Sequence, residues 1–266
     1  MNPETGGRFA FGKNWARFLA SLDESRIEEA IRSIAAALGD IKGKRFLDAG
    51  SGSGLFSLAA RRLGARVHSF DYDAHSVACT AELKRRYFPD DADWIVEQGS
   101  VLDKGYLQAL GQFEVVYSWG VLHHTGDLWT ALGNACESVA PGGLFYTSIY
   151  NDQGWPSSVW TAVKKLYNRA PPLRPLLLAG ALLDLWGPIT VADAVRLRPF
   201  HTWRGYGKNR GMTPLIDLVD WVGGFPFEVA KPEQIFDFCA ARGFALRKLV
   251  TVAGSVGCNE FVFVKA

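Results

Sequence analysis

The chain has 266 residues, 48% of them hydrophobic, which is enough for one or two domains with a buried core and excludes collagen, coiled coil and wholesale disorder. Its 29 Lys and Arg against 27 Asp and Glu leave a formal charge of +2, too balanced for the basic stripe by which proteins hold nucleic acid. Four scattered cysteines, Cys79, Cys136, Cys239 and Cys258, have neither metal-ligand spacing nor the density of a disulfide framework. No metal is expected, and free thiols point to a reducing compartment.

Met1-Asn2-Pro3-Glu4 opens no basic segment followed by an apolar run, so no secretory signal is expected and the chain reads as cytoplasmic. Within residues 1–43, Phe18, Leu22, Ile27, Ile31, Ile34 and Leu38 recur at helical spacing. They predict one or two leading helices that pack on the core and are placed to cover a bound ligand. From Lys44 to Tyr150 short apolar runs alternate with helical stretches, the pattern of a parallel sheet wound with helices. Strands are predicted at Arg45–Ala49, Arg66–Asp71, Trp94–Gln98, Phe113–Trp119 and Gly143–Tyr150. Helices are predicted at Leu55–Leu63, Ala74–Tyr87, Tyr106–Leu110 and Leu128–Val139, the last stopped by Pro141-Gly142-Gly143.

The alternation fails over residues 151–230, which hold eight of the twelve prolines and five of the nine tryptophans. This segment predicts an inserted helical cap on the substrate side. Its longest apolar stretch, Leu176 to Trp186, is interrupted by Asp184 and falls short of the ~20 residues of a membrane span, so none is expected. The α/β pattern resumes over residues 231–266 with a helix at Pro232–Arg242 and strands at Phe244–Val252 and Glu260–Val264. Their short connection forces a hairpin, because a parallel pair needs a crossover of a dozen or more residues. The expected fold is a doubly wound, seven-stranded, mostly parallel sheet with a C-terminal antiparallel strand.

The strongest chemical signal is Phe46-Leu47-Asp48-Ala49-Gly50-Ser51-Gly52-Ser53-Gly54, an apolar strand running into three alternating glycines before a helix. Glycine lets the backbone turn tightly and approach a ligand that a Cβ would repel. A dinucleotide fingerprint needs Gly or Ala three residues past its second glycine, where Leu55 or Ser57 stands, and Asp48 beside the loop would repel a pyrophosphate. A ligand with a positive amine suits Asp48 better.

Here the chain resembles the class I S-adenosylmethionine-dependent methyltransferases, whose first motif D-x-G-x-G-x-G is matched by Asp48, Gly50, Gly52 and Gly54. The resemblance implies a Rossmann-like fold, S-adenosyl-L-methionine as cofactor and S-adenosyl-L-homocysteine as product. It also implies that the loop, Ser51 included, cradles the methionine end while Asp48 acts on its amine. About 20 residues on, Asp71 ends the second strand where an acid accepts both ribose hydroxyls, beside Tyr72, and Asp73 reads as the cap of the next helix. The family commonly has an acid at Ser100, so Ser100 and the backbone of Val101 are left as the adenine contacts.

Trp119-Gly120-Val121-Leu122-His123-His124 after the fourth strand resembles the small-molecule, quinone and natural-product branch of the family, with Trp119 beside the cofactor. It lacks both prolines of the enzymes that methylate base amines. An imidazole of pKa ~6.5 is suited to take the proton of an alcohol or phenol, so His124 or His123 is the expected base, with Asp152 as its orienting partner or else as a helix cap. Trp155 and Trp203-Arg204-Gly205-Tyr206 in the cap offer rings and a cation to an acceptor, and Asn259 and Glu260 lie at the same sheet edge. Together these predict methyl transfer to an oxygen or nitrogen of a small molecule, with no nucleic-acid partner. A macromolecular methyltransferase and a non-catalytic cofactor-binding protein stand as alternatives.

Overall fold

The computed structural model describes residues 9, 12, 15, 19, 22–205, 214–253 and 257–266. Phe46, Leu47, Asp48 and Ala49 of β1 (Arg45–Ala49) are all buried, because helices cover both faces of the sheet there. The chain continues through α1 (Glu24–Leu38, before β1), α2 (Leu55–Arg62), β2 (Arg66–Asp71), α3 (Ala74–Tyr87), β3 (Trp94–Gln98), α4 (Lys104–Leu110), β4 (Phe113–Trp119), α5 (Leu128–Glu137) and β5 (Val139–Tyr150). The insertion forms α6 (Trp155–Arg169), α7 (Arg174–Val195), α8 (His201–Gly205) and α9 (Pro214–Gly223), and the chain closes with α10 (Pro232–Ala240), β6 (Phe244–Val250) and β7 (Cys258–Lys265).

The sheet order is β3-β2-β1-β4-β5-β7-β6. The first five strands are parallel, with Phe46 opposite both Val67 and Val115, and β7 runs antiparallel to β5 and β6. Alternate residues of each strand feed two cores. Phe46, Val67, Trp94, Val115 and Tyr146 meet α1, α2 and α3 on one face, while Leu47, Phe70, Val116, Phe145 and Phe263 meet α4, α5 and α10 on the other. The order reverses between β1 and β4, so the crevice beyond their carboxyl ends is where an open sheet takes its ligand.

Two expectations need correction. Strand β5 starts at Val139, not Gly143: Pro141-Gly142-Gly143 lies inside it as an irregularity, Phe113 pairing with Val139 and Val115 with Leu144. The expected C-terminal antiparallel strand is β7, which sits between β5 and β6. The apolar stretch of the cap does not stop at Asp184, since α7 runs 22 residues through it and through Pro188 and is, by length and composition, long enough to cross a membrane.

Tyr167, Ala181, Leu218 and Val222 form a small core of the cap's own. The return from the cap is stitched to the sheet edge: the amide of Ala230 donates to the Tyr150 carbonyl, that of Asp152 to the Ala230 carbonyl, and that of Glu228 to the His123 carbonyl.

Candidate functional site

A cavity of about 970 Å³ opens at the carboxyl ends of β1 and β4. Its floor is the glycine loop. Gly50 has φ +88°, and a Cβ there would stand 2.3 Å from a γ-methyl of Val121; Gly54 has φ +81°, and its Cβ would meet the Thr80 backbone at 2.7 Å. Neither position accepts a side chain without displacing its neighbour. The amides of Gly50 and Ser51 donate to the Phe70 carbonyl, and that of Gly52 donates to Asp71 at 2.9 Å, so β2 holds the loop open.

Asp48 is buried at the back of the cavity. Trp94 Nε1 donates to Ser69 Oγ, Ser69 pairs with Ser57, and Ser57 donates to Asp48 Oδ2. Because the indole can only donate and the carboxylate accepts, every hydroxyl in this relay points toward Asp48. Burial nevertheless pushes the Asp48 carboxyl up to about 7, with the nearby Asp71 adding to the rise. Burial also lifts Asp71 to about 6, against hydrogen bonds from the backbone of Asp73 and Gly52 that favour its charged form. Among the described residues no cation pairs with either acid, and two acids held this way favour a ligand that brings positive charge or hydroxyl donors.

Asp48, Gly50, Ser51, Gly52, Asp71, Tyr72, Ser100, Val101 and Trp119 all line the cavity. Gly54 does not; it faces Thr80. Asp73 caps α3 through the amide of His75. Ser100 Oγ accepts from the amide of Leu102 at 3.2 Å, which shapes the turn after β3.

The two histidines separate cleanly. His124 lines the cavity, and its Nδ1 lies 2.6 Å from the Pro226 carbonyl. A carbonyl only accepts, so Nδ1 carries a proton, and in the neutral ring the lone pair is then on Nε2. His123 is fully buried beneath the cavity wall, 4.0 Å from the Tyr150 ring, with neither ring nitrogen hydrogen-bonded. Burial, with His124 and Lys164 nearby, holds His123 well below the ordinary imidazole range, as a neutral ring.

Other predicted residues fall elsewhere. Asp152 accepts from the amide of Gly154 at 2.8 Å in a local turn, and the orienting role expected of it belongs to the Pro226 carbonyl. Asn259 is buried and spent on the hairpin, accepting from the amide of Val252 and donating to Asn151, while its neighbour Glu260 does line the cavity and accepts from the Tyr146 hydroxyl. Trp155 is exposed at the start of α6. Trp203 does not line the cavity but packs behind the wall residue Trp186 and donates to Thr190, and Arg204 is exposed in α8. Tyr206 lies outside the described residues.

Sequence reasoning missed several wall residues. Trp15 lies 3.2 Å from where a Gly52 Cβ would be, and α1 lends Arg26, Glu29 and Ser33. The far half of the cavity is apolar and aromatic, formed by Tyr150, Leu185, Trp186, Ile189, Leu218 and Trp221, with Asp217 and Asp220 at its edge. Only the spacing of Asp217, Asp220 and Trp221 on one helix face offered a signal.

A family model described as a methyltransferase domain matches residues 22–211. The chain belongs to the class I S-adenosylmethionine-dependent methyltransferases. Among its relatives, the ubiquinone biosynthesis O-methyltransferase of Paramagnetospirillum magneticum is 33% identical over 110 residues, 41% of this chain and 42% of that protein. The protein of the same name from a Methylobacterium is 28% identical over 117 residues, 42% of this chain and 43% of that one. The chain thus matches less than half the length of these relatives. In fold it is similar to a magnesium protoporphyrin IX methyltransferase of Synechocystis with bound S-adenosylhomocysteine, at TM-score 0.53 and 13% identity over 90% of this chain and 82% of that one. It is similar too to the N-methyltransferase NodS of Bradyrhizobium japonicum, at TM-score 0.52 and 13% identity over 96% and 98%.

Proposed function

We propose that this methyltransferase moves the methyl group of S-adenosylmethionine onto an oxygen or nitrogen of a small molecule seated in the aromatic half of the cavity, with His124 as the base. One observation carries the reading: His124, its tautomer set by the Pro226 carbonyl, stands on the wall of the same cavity that begins at Asp48 and the glycine loop.

The residues suit the cofactor. Gly50, which has no Cβ to strike Val121, lets the loop keep its tight turn on the cavity floor, Asp48 accepts from an ammonium at the loop, and Asp71 accepts from vicinal hydroxyls. Tyr72, Ser100 and Val101 then border the adenine, and Trp119 the sulfur end. When bound, S-adenosylmethionine supplies a sulfonium methyl whose leaving group is a neutral thioether. His124 Nε2 receives the proton that the acceptor's hydroxyl or amine loses, and Tyr150 and Trp221 hold the acceptor and exclude water. Orientation supplies most of the rate, and base catalysis contributes a further factor of about 10² to 10⁴. Asp217, Asp220 and Glu260 around the acceptor chamber disfavour a polyanionic acceptor such as RNA. The compartment we assign is the cytoplasm, in keeping with four cysteines that are free thiols.

Two variants test the reading. Asp71→Ala should weaken S-adenosylmethionine binding at least about tenfold in calorimetry, since a charge-assisted bidentate bond is lost. His124→Ala should keep cofactor affinity and lower kcat on an accepted phenol or amine by about 10² or more. Unchanged affinity in the first removes the ribose assignment; a wild-type rate in the second removes the base.

A further inference from the structure

The cap carries a surface that methyl transfer does not use. Helix α7 is apolar over most of its circumference, with Asp184 as the one exposed acid along it. Its inner side is occupied: Leu185, Trp186 and Ile189 line the cavity. Its outer side is open to solvent, with Leu176, Leu183, Val191 and Val195 exposed by 71%, 72%, 63% and 78%. Spacings of seven, eight and four residues place these four on one stripe, roughly 30 Å long at 1.5 Å per residue. Leu197 extends it, and α6, packed against the same helix, adds exposed Trp155, Val159 and Leu166. A helix apolar over most of its circumference is stable only where both sides are covered, and soluble monomers seldom leave so long a patch bare.

Charge says what covers it. Exposed Arg169 stands at one end of the stripe and exposed Arg196 and Arg198 at the other, with Asp184 midway on the outer side, while Arg174 is turned inward onto the Tyr167 carbonyl and ring. Two copies of the chain paired through α7 would set arginine against arginine at both ends, whether the helices ran parallel or antiparallel, and Asp184 against Asp184 near the axis. An anionic lipid surface meets the same arginines with opposite charge. Spanning is excluded, because it would draw Leu185, Trp186 and Ile189 out of the cavity wall and carry Asp184 to the middle of the bilayer.

We propose that the outer face of α6 and α7 docks on an anionic bilayer, α7 lying in the plane of the surface with its apolar stripe at the boundary of headgroups and acyl chains. Asp184 limits the depth, and the arginines set the preference for anionic lipid. The proposal rests on neither His124 nor the nature of the acceptor.

The test is co-sedimentation of the full chain with vesicles of phosphatidylcholine alone and of phosphatidylcholine mixed equally with phosphatidylglycerol. Binding to the mixed vesicles should exceed binding to the neutral ones and weaken with salt. Leu176→Glu combined with Leu183→Glu should lower binding about tenfold or more, and Arg196→Glu with Arg198→Glu should abolish the preference for the mixed vesicles. Both pairs are exposed and lie outside the cavity, so S-adenosylmethionine binding by calorimetry should be unchanged in each, which separates lost docking from lost fold. The proposal is overturned if neither vesicle binds the wild type near physiological salt, or if the glutamate variants bind as it does. A concentration-dependent dimer in sedimentation velocity that Leu183→Glu abolishes would overturn it too, by giving the face to a second copy.

Discussion

Replacing Gly50 by alanine tests whether the glycine loop owes its shape to the residue facing it across the cavity floor. The new methyl would stand 2.3 and 2.6 Å from the two γ-carbons of Val121 and 3.0 Å from its Cβ, on a backbone with φ +88°. A non-glycine residue in that backbone region costs about 1–2 kcal/mol. The overlap adds about 1–3 kcal/mol as overpacking, for a sum of about 2–5 kcal/mol. The two parts can be separated. Val121→Ala removes both γ-carbons, so in the double variant the worst of the overlap goes, the 3.0 Å approach to the remaining Cβ and the backbone cost staying. Urea unfolding of the four proteins should therefore show an interaction energy of about 1–3 kcal/mol, the double variant being more stable than the sum of the singles predicts. S-adenosylmethionine affinity should follow the same order, falling in Gly50→Ala and recovering in part when Val121 is shortened. Strict additivity, or a Gly50→Ala protein within about 0.5 kcal/mol of wild type, would show that Val121 does not press on the loop.

Asp48→Asn should change how ligand-free stability depends on pH. Because burial holds Asp48 and Asp71 up to about 7 and about 6 against an ordinary 3.8, the native state keeps protons that the unfolded chain has lost. Wild type should lose stability as pH rises from about 4 to 7; the variant should lose less and melt higher than wild type at pH 8, and a melting series showing the opposite slope would contradict this. Lys164, buried with its ammonium against the Trp221 carbonyl and over the Trp221 and Phe227 rings, is pushed down from 10.5 to about 7 by burial. Its native state sheds a proton before the unfolded chain does, so stability should gain from Lys164 between about pH 7 and 10, and thermal melting of Lys164→Met should lack that gain. His123→Leu should match or exceed wild-type stability, since it removes two unpaired buried nitrogens, and should keep kcat within about threefold where His124→Ala does not. Equal loss of kcat in both variants would undo the separation of their roles.

What was legible in the sequence was whatever burial and backbone conformation write into residue type. Five parallel strands covered on both faces read as apolar runs, and β1 and β2 fall where those runs predict. The loop was legible because Gly50 and Gly54 stand where no Cβ fits. Asp71 was legible because the end of β2 comes a fixed distance after that loop. Roles filled by the backbone were not. The partner that orients His124 is a carbonyl of Pro226, 102 residues away, and a carbonyl has no letter in the sequence, so Asp152 drew the role by proximity alone. Trp203 and Asn259 misled for a related reason: an aromatic or amide near a site edge can serve packing, and only the contacts with Trp186 and Asn151 decide. The extent of α7 was hidden by Asp184, Gly187 and Pro188. Pro188 does forfeit its bond to the Asp184 carbonyl, yet the helix continues through it, its inner side packed through Ala181 and Trp186.

The position of the cap in the chain explains how the His124 imidazole is held. The insertion leaves the sheet at the end of β5 and returns beside it, so residues 225–230 run across the carboxyl ends of β4 and β5. Along that path the Phe225 carbonyl accepts from the amide of Phe9, Pro226 holds His124, the amide of Glu228 donates to the His123 carbonyl, and the Glu228 carboxylate accepts from the amides of Gly126 and Leu128 at the start of α5. The same short segment thus fixes the backbone on both sides of His124 and the tautomer of its ring. His124 is aimed only when the cap has returned to the sheet, which ties assembly of the aromatic half of the cavity to placement of the imidazole. Had the imidazole been oriented by a carboxylate on β4 or β5, it would stand ready without the cap; a carbonyl on the returning segment makes the two inseparable.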